Sequence, residues 1–271
     1  MGDVIAALQA AFPPDQCLIG EAIPARNRQD ASRAPATCPR ALLLPRTTQE
    51  VALVLSLCHA HHQAVVPQGG LTGLVKAAHP GGDEIAVSLE RMVGIEEIDP
   101  QAGTMTVLAG TPLVSVQSAA DAHGFLYGVD LGARGSCTIG GTIATNAGGN
   151  QVLRYGMTRQ NVLGLEVVLA DGRIVSSLNK MLKNNSGYDW TQMMIGSEGT
   201  LGIVTRAVLA LRPKPQAIQT ALLALPSLPA AIRLLREAER RLPGGLLVFE
   251  AMWDDFLSVA VERIGLAQPF A

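Results

Sequence analysis

Apolar residues along the chain come in short runs, and proline, glycine or a capping polar residue separates one run from the next. Asp3 to Phe12 reads as a short helix stopped by Pro13-Pro14. Cys17 to Arg40 is a polar, proline-containing lead-in segment. Ala41 to Leu44 is a short apolar run of the kind a buried strand makes, and it ends at Pro45. Thr47-Thr48-Gln49-Glu50 fits a capping box, with Thr47 as the cap and Glu50 reaching back to it. The helix that follows carries Val51, Val54, Leu55 and Cys58 on one face, and Ala64 to Val66 reads as the next strand. Ala41 to Val66 is therefore expected to be a strand–helix–strand unit with a parallel pair.

Further along, Ile85 to Leu89 reads as a strand, and Asp99-Pro100-Gln101-Ala102-Gly103 as a turn between strands Val93–Ile98 and Thr104–Ala109. Pro112 to His123 predicts a helix opened by proline and closed by Gly124. Val162 to Leu169 alternates, and Asp171-Gly172 turns it into Arg173–Ser176. Asp189 caps a short helix through Met194, and Ile203 to Leu211 is a strand. Arg212-Pro213-Lys214-Pro215 reads as a boundary, because prolines interrupt any element. Beyond it the pattern predicts a strand at Ala217–Leu225, a helix capped by Ser227, a strand at Leu246–Ala251 and a helix from about Asp254.

Three glycine-rich turns interrupt this pattern. Pro67-Gln68-Gly69-Gly70-Leu71-Thr72-Gly73 leaves a strand end, and Gly196-Ser197-Glu198-Gly199-Thr200-Leu201-Gly202 feeds one. Between them, Asp130 to Asn150 holds six glycines with Ser136, Thr138, Thr142 and Thr145 among them. A segment this bare is expected to be neither a packed helix nor a central strand, since glycine weakens both. It suits close approach of backbone N–H groups to something large, flat or anionic. The first loop lacks the Gly-Lys-Ser/Thr ending of a P-loop and the G-x-G-x-x-G spacing of a dinucleotide fold.

Composition narrows the partners. The chain is 48% hydrophobic and 16% charged with a formal net charge of −2, which fits a packed core and gives nucleic acid or an anionic membrane no footprint. No apolar run reaches membrane-spanning length. Cys17, Cys38, Cys58 and Cys137 have neither metal nor redox spacing and read as free thiols of a reducing compartment. Asp3 without a basic region argues against a secretory signal, so a soluble cytoplasmic protein is expected. His59, His61 and His62 fit a solvated helix C-terminus better than a metal site, and no metal ligands are assigned. Tyr188 and Trp190 are expected in the core.

In order along the chain, PQGGLTG, GSCTIGGTIATNAGG, LRYG at Leu153–Gly156, LEVVLADG at Leu165–Gly172 and GSEGTLGIVT at Gly196–Thr205 resemble the flavin-binding domain of the vanillyl-alcohol oxidase family, the PCMH-type fold. The resemblance covers roughly Ala41 to Lys214. Within the family, DLGARGSC and KNNSGYD look most similar to D-2-hydroxyglutarate dehydrogenases, with D-lactate and glycolate dehydrogenases as near relatives. The resemblance implies an α+β protein: a lead-in segment at 1–40, a PCMH-type FAD-binding domain of two α/β subdomains at 41–214, and the start of a substrate-binding cap domain at 215–271. The subdomains would lie near Ala41–Leu89 and Val107–Leu211, with FAD between them and bound non-covalently.

The same resemblance allocates the contacts. Pro67, Gln68, Gly69, Gly70, Leu71, Thr72, Gly73 and Leu74 would form the pyrophosphate loop. Asp130, Leu131, Gly132, Gly135, Ser136, Thr138, Ile139, Gly140 and Gly141 would continue around the diphosphate and ribityl region. Ala144, Thr145, Asn146, Gly148 and Gly149 would lie near the isoalloxazine ring. Gly199, Gly202, Ile203 and Val204 would reach the adenine or pyrimidine edge. Glu198 would either orient a flavin edge or satisfy amides of its own turn. Arg154 and Tyr155 would brace the central loop or line the pocket. Lys76-Ala77 stands where the family has two glycines, and Leu71 where it often has a polar residue.

The implied reaction is oxidation of a D-2-hydroxy acid of the 2-hydroxyglutarate, lactate or glycolate type, with hydride passing to flavin N5 and electrons to an unnamed acceptor. The family's proton-accepting residues belong to the cap domain, so no catalytic residue is assigned in this chain. The alternative is a truncated or split flavin-binding module, completed by a partner chain that supplies the cap.

Overall fold

The computed structural model describes residues 3–265, 267, 269 and 270. In chain order the first elements are α1 (Val4–Ala11), β1 (Cys17–Leu18), β2 (Ala41–Leu43), α2 (Thr48–Ala60), β3 (Val65–Gln68) and β4 (Ile85–Ser88). Next come β5 (Ile95–Asp99), β6 (Thr104–Leu108), α3 (Leu113–Ala122), β7 (Phe125–Leu126), α4 (Ile139–Ala144), α5 (Val152–Tyr155), β8 (Val162–Val168) and β9 (Ile174–Ser177). The last are α6 (Trp190–Met194), β10 (Ile203–Ala210), β11 (Arg212–Pro213), α7 (Leu228–Arg241) and α8 (Asp254–Ile264).

Two sheets carry the chain. The first has the order β1-β2-β4-β3, and the second the order β5-β6-β10-β8-β9. In the first, β2 and β3 both run parallel to β4, and β1 adds antiparallel to β2. The second is antiparallel throughout. This is the α+β architecture of two subdomains expected from the sequence. The expected parallel unit is present with one difference: β4 lies between β2 and β3, so the two strands flanking α2 do not touch. All three residues of β2 and all four of β4 are buried, as suits parallel strands covered on both faces.

One continuous core joins the sheets. Leu43, Val54 and Val87 from the first half belong to the same buried cluster as Met105, Val107, Leu165 and Ile203 from the second. α2 is the bridge, burying the predicted face Val51, Val54, Leu55 and Cys58. Its start is tied across the interface. The Thr48 hydroxyl donates to Glu166 on β8 at 2.6 Å, and Thr205 and Arg206 of β10 donate to the same carboxylate oxygen at 2.9 Å each. Arg206 also reaches Glu96, at 2.9 Å from its Nε. Three donors thus converge on one oxygen of the buried Glu166 carboxylate, which offsets the cost of burying its charge.

Several local expectations need correction. Thr47 caps α2 as predicted, accepting from the Glu50 N–H, but the Glu50 carboxylate reaches the Arg46 N–H rather than that of Thr47. Arg212–Pro213 is paired with β7, because proline is tolerated in a two-residue edge strand. Ala217–Leu225 and Leu246–Ala251 form no strand; Ile218, Leu222 and Leu223 are each more than half exposed. Alternation supplies strand propensity but no neighbour, and among the described residues no sheet edge is there to take up their backbone groups. Tyr188 is 96% exposed rather than in the core, whereas Trp190 packs partly buried against it. The central glycine-rich stretch does contain a packed helix, α4, with Ile139, Gly140, Thr142 and Ile143 buried.

Two outcomes follow from this core. Glu166→Ala strips the shared acceptor from Thr48, Thr205 and Arg206. Because Arg206 is partly exposed and keeps Glu96, the loss is expected near the low end for a broken buried ion pair, about 3 kcal/mol, read from the urea midpoint and slope. Stability also falls in alkali. Burial pushes the Cys58 thiol up to about 11 from its ordinary 9.0, and burial raises Cys17 and Tyr127 in the same direction. The folded state keeps a proton that the unfolded chain releases. The contribution is therefore complete below pH 9 and is lost as pH rises from 9 towards 11. A melting temperature that falls across that window, less steeply in Cys58→Ala, is the expected result.

Candidate cofactor site

The first glycine turn is held shut at its neck by Gln68. That side chain is 1% exposed, and its amide nitrogen donates to the Asn27 carbonyl at 3.0 Å and to Ala78 O at 3.1 Å, while its oxygen accepts from Asn27 Nδ2. Both ends of the loop from Gly69 to Ala77 are thereby fixed. Two residues within it, Leu71 and Lys76, have φ of 59° and 65°. Left-handed backbone costs a branched or bulky residue roughly 1–2 kcal/mol. Lys76, where the family pattern has glycine, is thus held in a glycine-like conformation.

α4 sits at the centre. Ile139 N–H donates to Thr111 O and Gly140 N–H to Ala109 O, at 2.9 and 2.7 Å, so the helix start is bonded to the chain leaving β6. Thr138 caps it through the Gly141 N–H. Such an approach leaves no room for a side chain: a Cβ on Gly140 would lie 2.8 Å from the Ala109 Cβ. At the other end, Ile143 O and Ala144 O accept from the Gly196 and Glu198 N–H groups, hanging the third glycine turn on the helix.

The three loops close a ring, and glycine marks each contact. A Cβ on Gly69 would lie 2.6 Å from Thr138 Oγ1, and one on Gly70 2.1 Å from Ser136 O. A Cβ on Gly199 would lie 2.8 Å from the Pro67 ring. Much of the glycine content therefore serves contact between protein segments. Gly73, Gly132 and Gly135 differ, since a Cβ there would meet nothing within 4 Å.

Inside the ring is a cavity of about 600 Å³. The structure brings to its wall every loop residue from Pro67 to Leu74, then Leu131, Gly132, Thr138, Gly140, Gly141, Ala144 and Thr145, then Glu198, Gly199, Gly202, Ile203 and Val204. Gly135 and Ser136 line an adjoining cavity instead. Ile139 is fully buried in the core. Asp130 accepts from Gln117, pairs with Arg134 and lies on a third cavity. Asn146 turns its side chain to the Arg159 N–H, and Gly149 is pressed against Asp130 O, where a Cβ would come within 1.8 Å. Gly148 is likewise off the cavity wall, 3.1 Å from a Val152 methyl by the same measure. Arg154 is exposed and lies over the Tyr155 ring, 5.2 Å from its centroid. Lys76 is not on the wall either.

Wall residues that motif reading missed include Val75, Ala77, Ala78, Leu89, Ala133 and Cys137. Leu89 follows β4, the strand beside β3, so strand order carries the signal that finds it. Cys137 lies inside the central stretch but is no glycine or hydroxyl, and burial raises its thiol.

The wall's chemistry is uncharged apart from Glu198, whose side chain is exposed and makes no hydrogen bond among the described residues. No N–H from Gly70 to Gly73 donates to a protein acceptor among the described residues, and Thr72 adds a hydroxyl on the wall. Consecutive N–H groups left without a protein acceptor, on residues that line a crevice, suit an anion. Ala144, Thr145 and the glycines add a surface of little bulk, and Leu89, Ile203 and Val204 an apolar one. The residues present fit a flat-ringed diphosphate such as FAD. No helix is long and apolar enough to cross a membrane among the described residues.

Comparison with known proteins also points to a flavin-binding domain. Residues 39–177 match the family model described as an FAD binding domain. The chain is 40% identical to the mitochondrial D-2-hydroxyglutarate dehydrogenase of Bos taurus over 98% of its own length and 49% of the bovine protein. It is 41% identical to a D-2-hydroxyglutarate dehydrogenase of Xanthomonas citri, over 98% of this chain and 56% of that one. The chain thus spans about half the length of the curated relatives it matches. Among solved structures, an alkyldihydroxyacetonephosphate synthase superposes with a TM-score of 0.69 at 25% identity, over 79% of this chain and 41% of that one.

The ring makes two neighbouring glycines unequal. Gly70→Ala is expected to displace the loop or the Ser136 carbonyl at a cost of about 3 kcal/mol. Gly73→Ala meets open space, and removing glycine freedom from the unfolded chain makes it neutral or stabilising by about 0.5 kcal/mol. Thermal unfolding of the two variants side by side checks the difference.

Proposed function

The chain belongs to the FAD-binding domain family, and on that footing we propose that it is the FAD-holding part of an oxidoreductase of the D-2-hydroxy-acid dehydrogenase type. The observation that carries this reading is the uncharged donor cradle at Gly70–Gly73, closed against α4 and the Glu198 turn. When bound there, FAD would supply the hydride acceptor that no amino-acid side chain provides.

The chain's own residues do the holding. The Gly70–Gly73 N–H groups and the Thr72 hydroxyl meet diphosphate charge without a lysine. Gln68 fixes the loop's neck so that these donors are already oriented, which lowers the ordering cost of binding. The α4 surface at Gly140, Gly141, Ala144 and Thr145 gives a ring room to lie close. Leu89, Ile203 and Val204 keep water from that side. Gly132, Gly199 and Gly202 complete the wall, with Glu198 free to accept from the ligand's edge. Gly135, Ser136, Asn146, Gly148, Gly149 and Arg154, placed beside or behind the cavity, support its loops.

The substrate in this reading is a D-2-hydroxy acid, with 2-hydroxyglutarate first because the bovine and Xanthomonas relatives carry that name. The electron acceptor is a separate molecule. The group that takes the hydroxyl proton is assigned to no residue of this chain; it belongs with a cap domain of which 215–271 would be the start. The free thiols of Cys17, Cys38, Cys58 and Cys137 fit a reducing compartment, and the location in this reading is the cytoplasm.

A second reading has its own support. α7 buries none of its residues, and Phe256, Val259 and Ile264 of α8 are each more than half exposed. Apolar faces left uncovered after residue 215 favour a flavin module that needs further protein before it turns over substrate.

One spectrum tests the first reading: the purified chain is expected to show flavin absorbance, or to gain it stoichiometrically when FAD is added. A chain that stays colourless and takes up no FAD defeats the proposal. Adding D-2-hydroxyglutarate then separates the readings. Bleaching of the flavin in the isolated chain would overturn the incomplete-module reading; an unbleached flavin supports it.

A further inference from the structure

Gly69, Gly70, Leu71 and Thr138 line two cavities, so the first glycine loop and the α4 cap are a partition. The space on the far side measures about 580 Å³, and its walls include Asp30, Arg26, Glu90, Gly135 and Ser136. Asp30 is 8% exposed. Its Oδ1 accepts from the Ser32 N–H at 3.0 Å, but its Oδ2 is buried and has no hydrogen-bond partner. Arg26, the cation on the same wall, pairs with Glu90 at 3.8 Å. Asp30 is also tied to the loop, since the next residue, Ala31, donates its N–H to Leu71 O at 3.1 Å.

A buried carboxylate oxygen without a donor is costly, and the fold holds it against the loop that would grip a diphosphate. A phosphate is the wrong partner, because like charges repel. A metal is also disfavoured: no group of three or more metal-ligating side chains occurs among the described residues. The missing partner is a neutral hydroxyl donor, and in a dinucleotide the groups on either side of the diphosphate are sugars rich in them. We propose that Asp30 accepts a hydrogen bond from a sugar hydroxyl flanking the diphosphate, of the ribityl chain or of the ribose, and so positions the cofactor from behind the glycine loop. This rests on the FAD reading above. Gly135 and Ser136 line the space beside Asp30, and because Oδ2 is closed to solvent in the ligand-free fold, the carboxylate would turn towards that space to meet the hydroxyl.

The test titrates the 271-residue chain and its Asp30→Asn and Asp30→Ala variants with FAD and riboflavin by flavin fluorescence, and with ADP by competition, alongside the melting temperature of each ligand-free protein. Asparagine keeps the size and the Oδ1 bond to Ser32 but turns the second acceptor into a donor. Both variants are expected to bind FAD about tenfold more weakly, as loss of a hydrogen bond to a charged group implies. The ligand-free melting temperature of Asp30→Asn should equal or exceed the parent's, because an uncompensated buried charge is gone and the Ser32 bond is kept; Asp30→Ala, which also loses that bond, is read for FAD affinity alone. Weakening shared with riboflavin assigns the ribityl chain; weakening shared with ADP assigns the ribose. FAD affinity equal to or tighter than the parent's overturns the proposal and leaves Oδ2 to water. An Asp30→Asn melting temperature several degrees lower without ligand also overturns it, in favour of a structural role. If the parent itself binds no FAD, the reading of the site fails and this inference with it; if the parent binds and Asp30→Asn binds equally, only the inference fails.

Discussion

The contact between Gly140 and Ala109 sets the rest of the site. With no Cβ at 140, α4 comes close enough to donate its first two N–H groups to the chain beyond β6. That seats a short, glycine-rich helix that its own propensity could not sustain. Once seated, its carbonyl end holds the Glu198 turn and its capping Thr138 meets the Gly69–Gly70 loop. Placement of three separate loops thus follows from one backbone approach in the second sheet.

Consequences run in both directions. The helix's leading N–H groups are already bonded within the protein, so the free donors of the crevice lie in the first loop instead. Gln68 and Asn27 fix that loop from its base, and Asp30 stands behind it. Across the molecule, Glu166 gathers donors from α2 and β10 and keeps the sheets in register, which holds the first loop opposite α4. The buried network and the glycine ring are two parts of one constraint: the two subdomains must meet at a fixed distance for the cavity between their loops to keep its width.

The region after residue 215 obeys different physics. α7 forms because Ser227 caps it and Glu237 pairs with Arg240 and Arg241 along its surface, all local effects. The two strands expected beside it do not form, since a strand needs a neighbour and a helix does not. Local structure without a shared core is what remains when segments lack a surface to pack on.

Much of this protein was legible in its sequence. The cap at Thr47, the face Val51–Cys58, the hairpin turns at Asp99–Gly103 and Asp171–Gly172, and the three glycine turns are all short-range patterns, and short-range forces decide them. Their order along the chain carried the family. Other features required the tertiary structure. β4 inserts between β2 and β3 because strand order is a long-range choice. Tyr188 is exposed because its loop packs on nothing, which no aromatic residue announces by itself. α4 exists because Ala109 and Thr111 accept from it, and Asp30 matters because folding leaves one of its oxygens alone behind a glycine loop. Sequence determined which segments could approach one another without side chains in the way; only folding decided which of them did, because burial and hydrogen bonding are settled between residues far apart in the chain.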